Sequence, residues 1–228
     1  MRPLAVAFAP HPDDESYAMA GTLAELARRG WRTRVACLTR GEAGASHLGP
    51  CTPAELARRR EAELAASCAA LGAEPVVLGL PDGGLAGVTH DLSPHAEGAR
   101  LVLTLGDDGA YGHPDHLATT RMVRAMRGPW TLWLAVFPRG LFAPVHRALS
   151  RHVRLEREVE TLGVERSAAS VVIDVRAHRE AKLASIAAHR SQRRTDDVRS
   201  FLAPGFVDGL LDEEWWAHAG GPALELGP

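Results

Sequence analysis

Short apolar runs alternate with longer amphipathic stretches along most of this chain, and this alternation narrows the choice of fold more than any other feature. Apolar runs predict buried strands, at Leu4–Ala9, Arg32–Leu38, Pro75–Leu80, Arg100–Leu105, Thr131–Phe137 and Ser170–Val175. Amphipathic stretches predict helices, at Asp14–Arg29, Pro53–Leu71, Pro114–Met126 and Ala177–His189. Strands that alternate with helices form parallel sheets with right-handed crossovers. The predicted fold class is therefore α/β, a mostly parallel sheet flanked by helices, in a single domain over residues 1–228.

Two segments fall outside this alternation. Residues 193–209 are polar and are then punctuated by Gly and Pro, which predicts a flap that covers a site. Residues 219–228 also carry Gly and Pro and are predicted to be a frayed tail. Between them, Trp215 and Trp216 are predicted to tie the C-terminal region onto the core.

The composition argues against several classes of function. The formal net charge is -2 and the arginines are interspersed with glutamates, so no nucleic-acid partner is expected. No apolar run approaches the ~20 residues of a membrane span, and the N-terminal apolar run is too short for a signal peptide. We therefore expect a cytoplasmic protein without a membrane partner. The three cysteines lack CxxC spacing, which predicts reduced thiols rather than a disulfide framework.

The first predicted strand ends in a His-Pro-Asp-Asp motif. Ligands bind beyond the carboxyl ends of the strands in open parallel sheets, and a hydrolytic zinc site takes three His or carboxylate ligands and leaves one position for water. We assign His11 and Asp14 to the metal, and Asp13 to the water as general base. The alternative is that one aspartate only caps the next helix, but this gives His11 no role.

The fourth predicted strand leads into a second motif, Tyr-Gly-His-Pro-Asp-His. A helix that starts at the proline places the two histidines on one face of its first turn. We assign His116 as the third metal ligand and His113 as the group that stabilises an oxyanion. Asp115 is predicted to orient one of these two rings, and Tyr111 to supply another donor to the oxyanion. The alternative is a pair of histidines that only cap the helix.

The two motifs together resemble those of the PIG-L/LmbE-like deacetylases. The resemblance covers about residues 4–192 and includes the TRGE segment at 39–42, the LPD segment at 80–82 and the HRSQ segment at 189–192. It implies a Rossmann-like fold and hydrolysis of the N-acetyl group of N-acetylglucosamine conjugates, with release of acetate and the free amino sugar. It implies the same metal ligands, base and electrostatic catalyst as the residues themselves.

The resemblance also bears on the metal and the substrate. It implies a catalytic Zn²⁺, although two nitrogens and a carboxylate suit Fe²⁺ as well. It implies contacts with a small amino-sugar substrate from Arg60, Asp82 and Glu42. Considered alone, Arg60 is one more charge on a helix face. The family often self-associates, so a homo-oligomer is expected.

Within the family, the segments at 37–39 and 41–44 and the region of His189 look most like the bacillithiol branch, which deacetylates N-acetylglucosaminyl malate. This malate conjugate is the predicted substrate. Residues 45–48 depart from that branch, where basic and amide side chains are expected, and an amidase of thiol S-conjugates uses the same apparatus.

Two other classes of protein stay open at this point. One is a metal-dependent phosphoesterase, in which Glu42, Asp82 and Asp107 supply ligands to a second ion. The other is a non-enzymatic protein whose metal is structural, which would hold its ion with four protein ligands.

Overall fold

The computed structural model describes residues 2–224 and residue 226. The strands are β1 (Leu4–Ala9), β2 (Arg32–Thr39), β3 (Ala73–Leu80), β4 (Ala99–Leu105), β5 (Thr131–Val136), β6 (Val171–Asp174) and β7 (Glu213–Gly220). The helices are α1 (Asp14–Ala18), α2 (Ala20–Arg28), α3 (Pro53–Leu71), α4 (Gly109–Gly112), α5 (Pro114–Ala125), α6 (Ala143–Leu149) and α7 (Arg179–Ala188).

One seven-stranded sheet has the order β3-β2-β1-β4-β5-β7-β6. The first five strands in this order run parallel, β7 pairs antiparallel with β5, and β6 pairs antiparallel with β7. The predicted fold class is confirmed: a single-domain α/β fold with a mostly parallel sheet. The strand order reverses between β1 and β4, and a crevice for ligands lies beyond the carboxyl ends at such a reversal.

The centre of the sheet is buried on both faces, and the alternation of side chains along β1 shows how. Ala5 and Ala7 belong to the core cluster that includes buried residues of α2 and α3. Val6 and Phe8 point to the opposite face and join the cluster that includes buried residues of α5. Because β1 is covered on both sides, its sequence is a continuous apolar run rather than an alternating one.

The predicted helix Asp14–Arg29 is wrong in one respect, because the chain forms two helices that are separated at Met19 (φ -137°). The second helix has its own partner for its first backbone donors. The carboxylate of Glu214, in β7, accepts the N–H groups of Gly21 at 2.9 Å and Thr22 at 2.7 Å. This cap comes from a distant part of the chain, so the local sequence carries no sign of it.

The prediction of a frayed tail at 219–228 is wrong at its start, because β7 extends to Gly220. Glu225, Gly227 and Pro228 lie outside the described residues. The sequence of β7, EEWWAHAG, has no β-branched residue, and this is why its pattern does not predict a strand. Trp216 does tie this strand to the core: it is fully buried, and its Nε1–H donates to Thr22 Oγ1 at 3.0 Å.

The segment 193–209 is not free to act as a flap along its whole length. Phe201 and Phe206 are buried in the main core, and their rings contact that of Tyr17 at centroid distances of 6.5 and 5.9 Å. The polar first part of the segment lies mostly at the surface. The apolar residues that follow it anchor the chain instead.

Two further observations concern the cysteines and the helices. Cys37 and Cys68 are buried and Cys51 is partly buried, and all three are free thiols. Within the part of the chain that the structure describes, no helix has both the length and the apolar character that a membrane span requires.

Replacement of Glu214 by alanine should destabilise the protein strongly. Glu214 pairs with the ammonium group of Lys182, and both side chains are buried. Removal of one partner leaves a buried charge without compensation, which costs about 3–5 kcal/mol in the free energy of unfolding. Urea unfolding followed by tryptophan fluorescence measures the loss. The control is Glu74→Ala, which breaks an exposed pair with Arg34 and should cost under about 1 kcal/mol; equal losses in the two variants would contradict the role given to Glu214.

Candidate metal centre and active site

The turn after β1 directs His11 and Asp14 into the crevice. The N–H of His11 donates to Asp14 Oδ2 at 3.0 Å, and the N–H of Asp14 donates to the carbonyl of His11 at 3.3 Å. The turn is therefore closed by its own two residues. Asp13 occupies the cap position of α1 but makes no side-chain cap hydrogen bond, so the capping alternative does not describe it.

The loop after β4 brings two histidines to the same crevice. His113 is the cap of α5, and its Nδ1 accepts the N–H of Asp115 at 3.2 Å. The capping alternative therefore accounts for Nδ1 of His113 only. The other ring nitrogen, Nε2, takes no part in the cap. His116 is fully buried and does not cap; its Nδ1 lies 3.1 Å from the carbonyl oxygen of Gly109.

The two loops meet at three side chains that can hold a cation. His11, Asp14 and His116 are buried, and their ligand atoms all lie within 4.8 Å of one another. Asp14 is between the two rings: its Oδ2 is 3.2 Å from His11 Nδ1, and its Oδ1 is 3.4 Å from His116 Nε2. The structure thus brings together the three residues that the sequence predicts as metal ligands.

The hydrogen bonds of the two rings fit a metal site. His116 Nδ1–H donates a hydrogen bond to the carbonyl of Gly109, so in the neutral ring Nε2 carries a lone pair that faces Asp14. Burial lowers the pKa of His116 to about 3, so this ring is neutral, as a ligand must be. Nε2 of His11 faces the carboxylate of Asp115 at 3.3 Å, and a histidine held in this way by a carboxylate presents its other nitrogen to the ion.

The charges at the site also favour a cation. Burial alone would lower the pKa of His11, but the carboxylates of Asp115, Asp14 and Asp82 raise it well above its usual value. Burial would raise the pKa of Asp14, but His116 and His11 hold it well below its usual range. The cluster therefore carries more negative charge than its own basic groups compensate.

A second group of three, His11, His113 and Asp115, also lies within 4.8 Å. Its atoms are already engaged: the oxygens of Asp115 accept the N–H groups of Gly83 at 2.7 Å and Leu85 at 3.0 Å, and His113 Nδ1 accepts a helix N–H. The carboxylate of the first group also accepts hydrogen bonds, from the N–H of His11 and the hydroxyl of Tyr17. Its two facing ring nitrogens, His11 Nδ1 and His116 Nε2, accept no backbone N–H, and this group is the one that the sequence predicts as the ligand set.

These contacts correct the predicted role of Asp115 and give Asp82 a contact that the sequence does not predict. The sequence predicts that Asp115 orients the ring of His113 or His116, but its carboxylate contacts the ring of His11 instead. Asp82, predicted to contact the substrate, lies 3.1 Å from His11 Nε2 through Oδ1, and its Oδ2 accepts the N–H of Ala43 at 2.8 Å. Both acids support His11, and contact between Asp82 and a substrate stays a prediction.

Asp13 lies beside the metal group in a strained conformation. Its φ of 140° is rare for a residue with a side chain, and such strain collects at functional sites. Its N–H donates to Glu15 Oε2 at 3.0 Å, which holds the backbone in place. Burial and the charge of Asp14 raise the pKa of Asp13 to about 7, although Arg60 acts against them. A carboxyl group with such a pKa suits proton transfer at neutral pH.

Arg60 is not a surface charge, and its Nε is a buried donor without a hydrogen-bond partner among the described residues. It is buried, with 4% of its surface exposed. Its Nη1 donates to the carbonyl of Gly41 at 3.1 Å, and its Nη2 donates to the carbonyl of Pro12 at 2.6 Å and lies 3.3 Å from Asp13 Oδ1. Arg60 therefore fixes the loop that carries Asp13, and the sugar contact implied by the resemblance stays a prediction.

Tyr111 contacts the metal group directly, and Glu42 is linked to it through Asp82. The hydroxyl oxygen of Tyr111 is 3.4 Å from His116 Nε2, at the nitrogen that faces the ion position. Glu42 Oε1 accepts the N–H of Asp82 at 3.3 Å, and Glu42 Oε2 is buried with no hydrogen-bond partner among the described residues.

The sequence does not predict a role for Glu15, which is the centre of a buried polar network. Glu15 Oε1 accepts the hydroxyl of Ser67 at 2.5 Å and lies 2.7 Å from His189 Nε2. His189, the first residue of the HRSQ segment, therefore lies under the loop of Asp13 as a supporting group. The position of Glu15 directly after the His-Pro-Asp-Asp motif was the available signal in the sequence.

Asp107, one of the three acids that would hold a second ion in a phosphoesterase, is engaged away from the metal groups. The carboxylate of Asp107 pairs with Arg124 at 2.6 Å and is 63% exposed. Among the residues that can be described, the two possible metal groups share His11, so they are alternatives rather than neighbours.

This chain is similar to known proteins in its family profile, in its sequence and in its structure. A family profile, PIG-L, described as GlcNAc-PI de-N-acetylase, matches residues 6–127. A 1D-myo-inositol 2-acetamido-2-deoxy-alpha-D-glucopyranoside deacetylase of Saccharomonospora viridis is 31% identical, over 93% of this chain and 93% of its own. The crystal structure of the conserved protein TT1542 from Thermus thermophilus is 28% identical, with a TM-score of 0.61 over 99% of this chain and 98% of its own.

The fold alone is shared more widely. A 4-carboxy-2-hydroxymuconate hydratase from Pseudomonas putida KT2440 has a TM-score of 0.67 over 99% of this chain and 100% of its own, at 15% identity. Since a hydratase and deacetylases share the architecture, the reaction must be argued from the site and not from the sheet.

Removal of His116 should abolish metal binding, and removal of His113 should not. His116→Ala deletes one of the three ligands of the first group, whereas His113→Ala deletes a member of the second group only. Metal content per chain, measured after dialysis against the same Zn²⁺ concentration, separates the two. An ion retained by His116→Ala and lost by His113→Ala would place the metal in the second group instead.

Proposed function

Since this chain belongs to the PIG-L family, we propose that it hydrolyses the N-acetyl group of an N-acetylglucosamine conjugate, with Zn²⁺ held by His11, Asp14 and His116. One observation carries the proposal. Two turns that are distant in the sequence bring the imidazoles of His11 and His116 and the carboxylate of Asp14 within 4.8 Å of one another. The strained Asp13 lies beside them and is not one of the three. This is the composition of a hydrolytic metal site with a position open for water.

The proposed aglycone differs from the one that the sequence predicted. The bacillithiol branch and its malate conjugate are not supported, because the similar S. viridis deacetylase is named for an inositol glucosaminide. We therefore propose an N-acetylglucosamine linked to an inositol-type group. The residues at 45–48, which depart from the bacillithiol pattern, are consistent with this change.

The reaction joins a water oxygen to the acetyl carbon and breaks the carbon–nitrogen bond. A divalent cation supplies charge to polarise the acetamide carbonyl and lowers the pKa of a water molecule. Asp13 accepts a proton from the attacking water and returns it to the departing nitrogen, so that acetate and a free amine result. Arg60 and Glu15 keep the Asp13 carboxylate and backbone in place for both transfers.

The carbonyl oxygen becomes an oxyanion during the attack, and two side chains are placed to stabilise it. The cap on Nδ1 of His113 means that Nε2 carries the proton of the neutral ring. Burial lowers the pKa of His113 to about 4, so the ring acts as a neutral donor rather than as an imidazolium. The hydroxyl of Tyr111 is a second donor, beside His116.

A sugar hydroxyl has a matching acceptor at Glu42. A buried carboxylate oxygen without a partner is costly, and a hydroxyl donor from a ligand removes that cost. Glu42 Oε2 is such an atom, and Asp82 lies next to it. We propose these two acids as substrate contacts and Arg60 as a positioning residue.

A panel of acetylated glucosaminides tests the function directly. Acetate and free amine should appear in equal amounts from the inositol conjugate, and should require added divalent metal after chelation. Release of phosphate from phosphate esters, without release of acetate from any glucosaminide, would overturn the proposal in favour of a phosphoesterase.

Asp13→Asn should keep the metal and lose most turnover. Asparagine tolerates positive φ and keeps the shape of the side chain, so the change removes proton transfer and little else. We expect kcat to fall by about 10²–10⁴, the usual contribution of a general base. Acetate release and metal content are measured together.

His113→Ala provides the comparison, because it removes an oxyanion donor and leaves the base. A loss of about 10²–10³ in kcat is expected. Unchanged turnover in either variant, at full metal occupancy, would remove the role assigned to that residue.

A further inference from the structure

The ring of Tyr17 belongs to the main core, whereas its hydroxyl reaches the proposed metal group. The hydroxyl donates to Asp14 Oδ1 at 2.5 Å. Both residues lie in α1, three positions apart, and residues at this spacing are neighbours on the surface of a helix. The sequence motifs give Tyr17 no role, and the proposed proton transfers do not use it. Its contact with a metal ligand therefore needs an explanation of its own.

Each carboxylate oxygen of Asp14 has one donor and faces one ring nitrogen. Oδ2 accepts the N–H of His11 at 3.0 Å and lies 3.2 Å from Nδ1 of the same residue. Oδ1 accepts the hydroxyl of Tyr17 and lies 3.4 Å from His116 Nε2. A carboxylate has about four lone-pair sites, so the two donors leave sites that an ion between the two rings can use. Tyr17 thus fixes one side of the carboxylate in the orientation that a shared cation needs.

The shared proton stays on Tyr17 and not on Asp14. A phenol ionises at a pH of about 10, and burial together with the charge of Asp14 raises the pKa of Tyr17 well above that value. The pKa of Asp14 lies well below its usual range in spite of its burial. The contact is therefore a hydrogen bond from a neutral donor to a charged acceptor, and such bonds are stronger than those between two neutral groups.

Four phenylalanine rings from separate parts of the chain hold the ring of Tyr17. Only 1% of Tyr17 is exposed. The centroid distances are 6.4 Å to Phe137, 5.9 Å to Phe142, 6.5 Å to Phe201 and 5.9 Å to Phe206. Because side chains in a close-packed core have little room to move, the packing presents the hydroxyl to Asp14 before an ion binds. The segment after α7, which supplies two of the four rings, contributes to the metal group in this way.

We infer that Tyr17 is a positioning residue for the metal: its hydroxyl orients Asp14, and the affinity for Zn²⁺ depends on it. This inference rests on the ligand set of the proposed function. Hydrogen-bond partners of metal ligands typically contribute about 10–100-fold to metal affinity. The simpler explanation is that a buried tyrosine hydroxyl only needs an acceptor. That explanation predicts a loss of stability without any loss of metal affinity, so the two are separated by a binding measurement.

The test is Tyr17→Phe, which removes the hydroxyl and keeps the ring. The Kd for Zn²⁺, measured on the metal-free protein by competition with a chelator of known affinity, should rise about 10–100-fold. The matched control is Thr104→Val. Thr104 is fully buried outside the ligand set, and its hydroxyl donates to the carbonyl of Phe8 at 3.0 Å. This variant also loses one buried hydroxyl bond, but its Kd for Zn²⁺ should equal that of the native protein.

An unchanged Kd in Tyr17→Phe, or an equal rise in the two variants, would overturn the inference, as would a native protein that binds no Zn²⁺. Acetate release by the native protein is measured separately. Acetate release together with an unchanged Kd in Tyr17→Phe leaves the deacetylase intact and removes the role of Tyr17. A raised Kd in Tyr17→Phe alone, without acetate release from any glucosaminide, supports the role of Tyr17 and counts against the proposed function.

A measurement without a substitution at Tyr17 decides the question if Tyr17→Phe does not fold. The chain has two tyrosines, Tyr17 and Tyr111. Tyrosine labelled with ¹³C at Cζ therefore gives two NMR signals, and Tyr111→Phe shows which one belongs to Tyr17. A cation bound to Asp14 draws charge from its carboxylate and weakens the bond from Tyr17, so the Tyr17 signal should shift when Zn²⁺ is added. A Tyr17 signal that stays in place while Zn²⁺ is bound would overturn the inference.

Discussion

The ring of His11 lies between carboxylates from three separate segments, and the rest of the site depends on this arrangement. Asp14 faces its Nδ1, while Asp82 and Asp115 face its Nε2 at 3.1 and 3.3 Å. The ring cannot turn without losing contacts on both sides, so the nitrogen beside Asp14 keeps its direction. Without another cation, these carboxylates raise the pKa of His11 and a proton supplies the compensating charge. A metal ion would take over that compensation, so binding of the ion and protonation of the ring oppose each other.

Much of the candidate site could be predicted from the sequence, because its residues directly follow the ends of strands. Apolar runs such as Leu4–Ala9 give both the strand and the place where it stops, and parallel strands present their carboxyl ends at one edge. His11 and His116 each follow such a strand, so their meeting needed only that β1 and β4 be neighbours, as they are. The helix predicted to start at Pro53 does start there, and the structure adds a capping box between Thr52 and Glu55.

The predictions that failed share one cause. In each, the contact that decides the outcome is made with a residue that is far away in the sequence. The break at Met19 depends on a cap from Glu214, in the last strand. The helical pattern of α3 places Arg60 on a face but does not say that this face covers Asp13. Asp115 lies between a proline and a histidine of its own motif, but its carboxylate contacts His11. The N–H of Gly83, in the loop after β3, donates to the same carboxylate oxygen and fixes its position. Local periodicity contains none of these contacts.

The same sheet supports a hydratase as well as deacetylases, so the chemistry must reside in what the loops add. The decisive addition is the strained Asp13, and the strain has visible supports. Glu15 accepts its N–H, Ser67 and His189 hold Glu15, and Arg60 faces its carboxylate. Burying this many polar groups under one turn is unfavourable unless each is paired. The pairs around Asp13 offset much of this cost, with Arg60 Nε and His189 Nδ1 left without hydrogen-bond partners among the described residues. The network therefore holds one strained carboxyl group beside the proposed metal ligands.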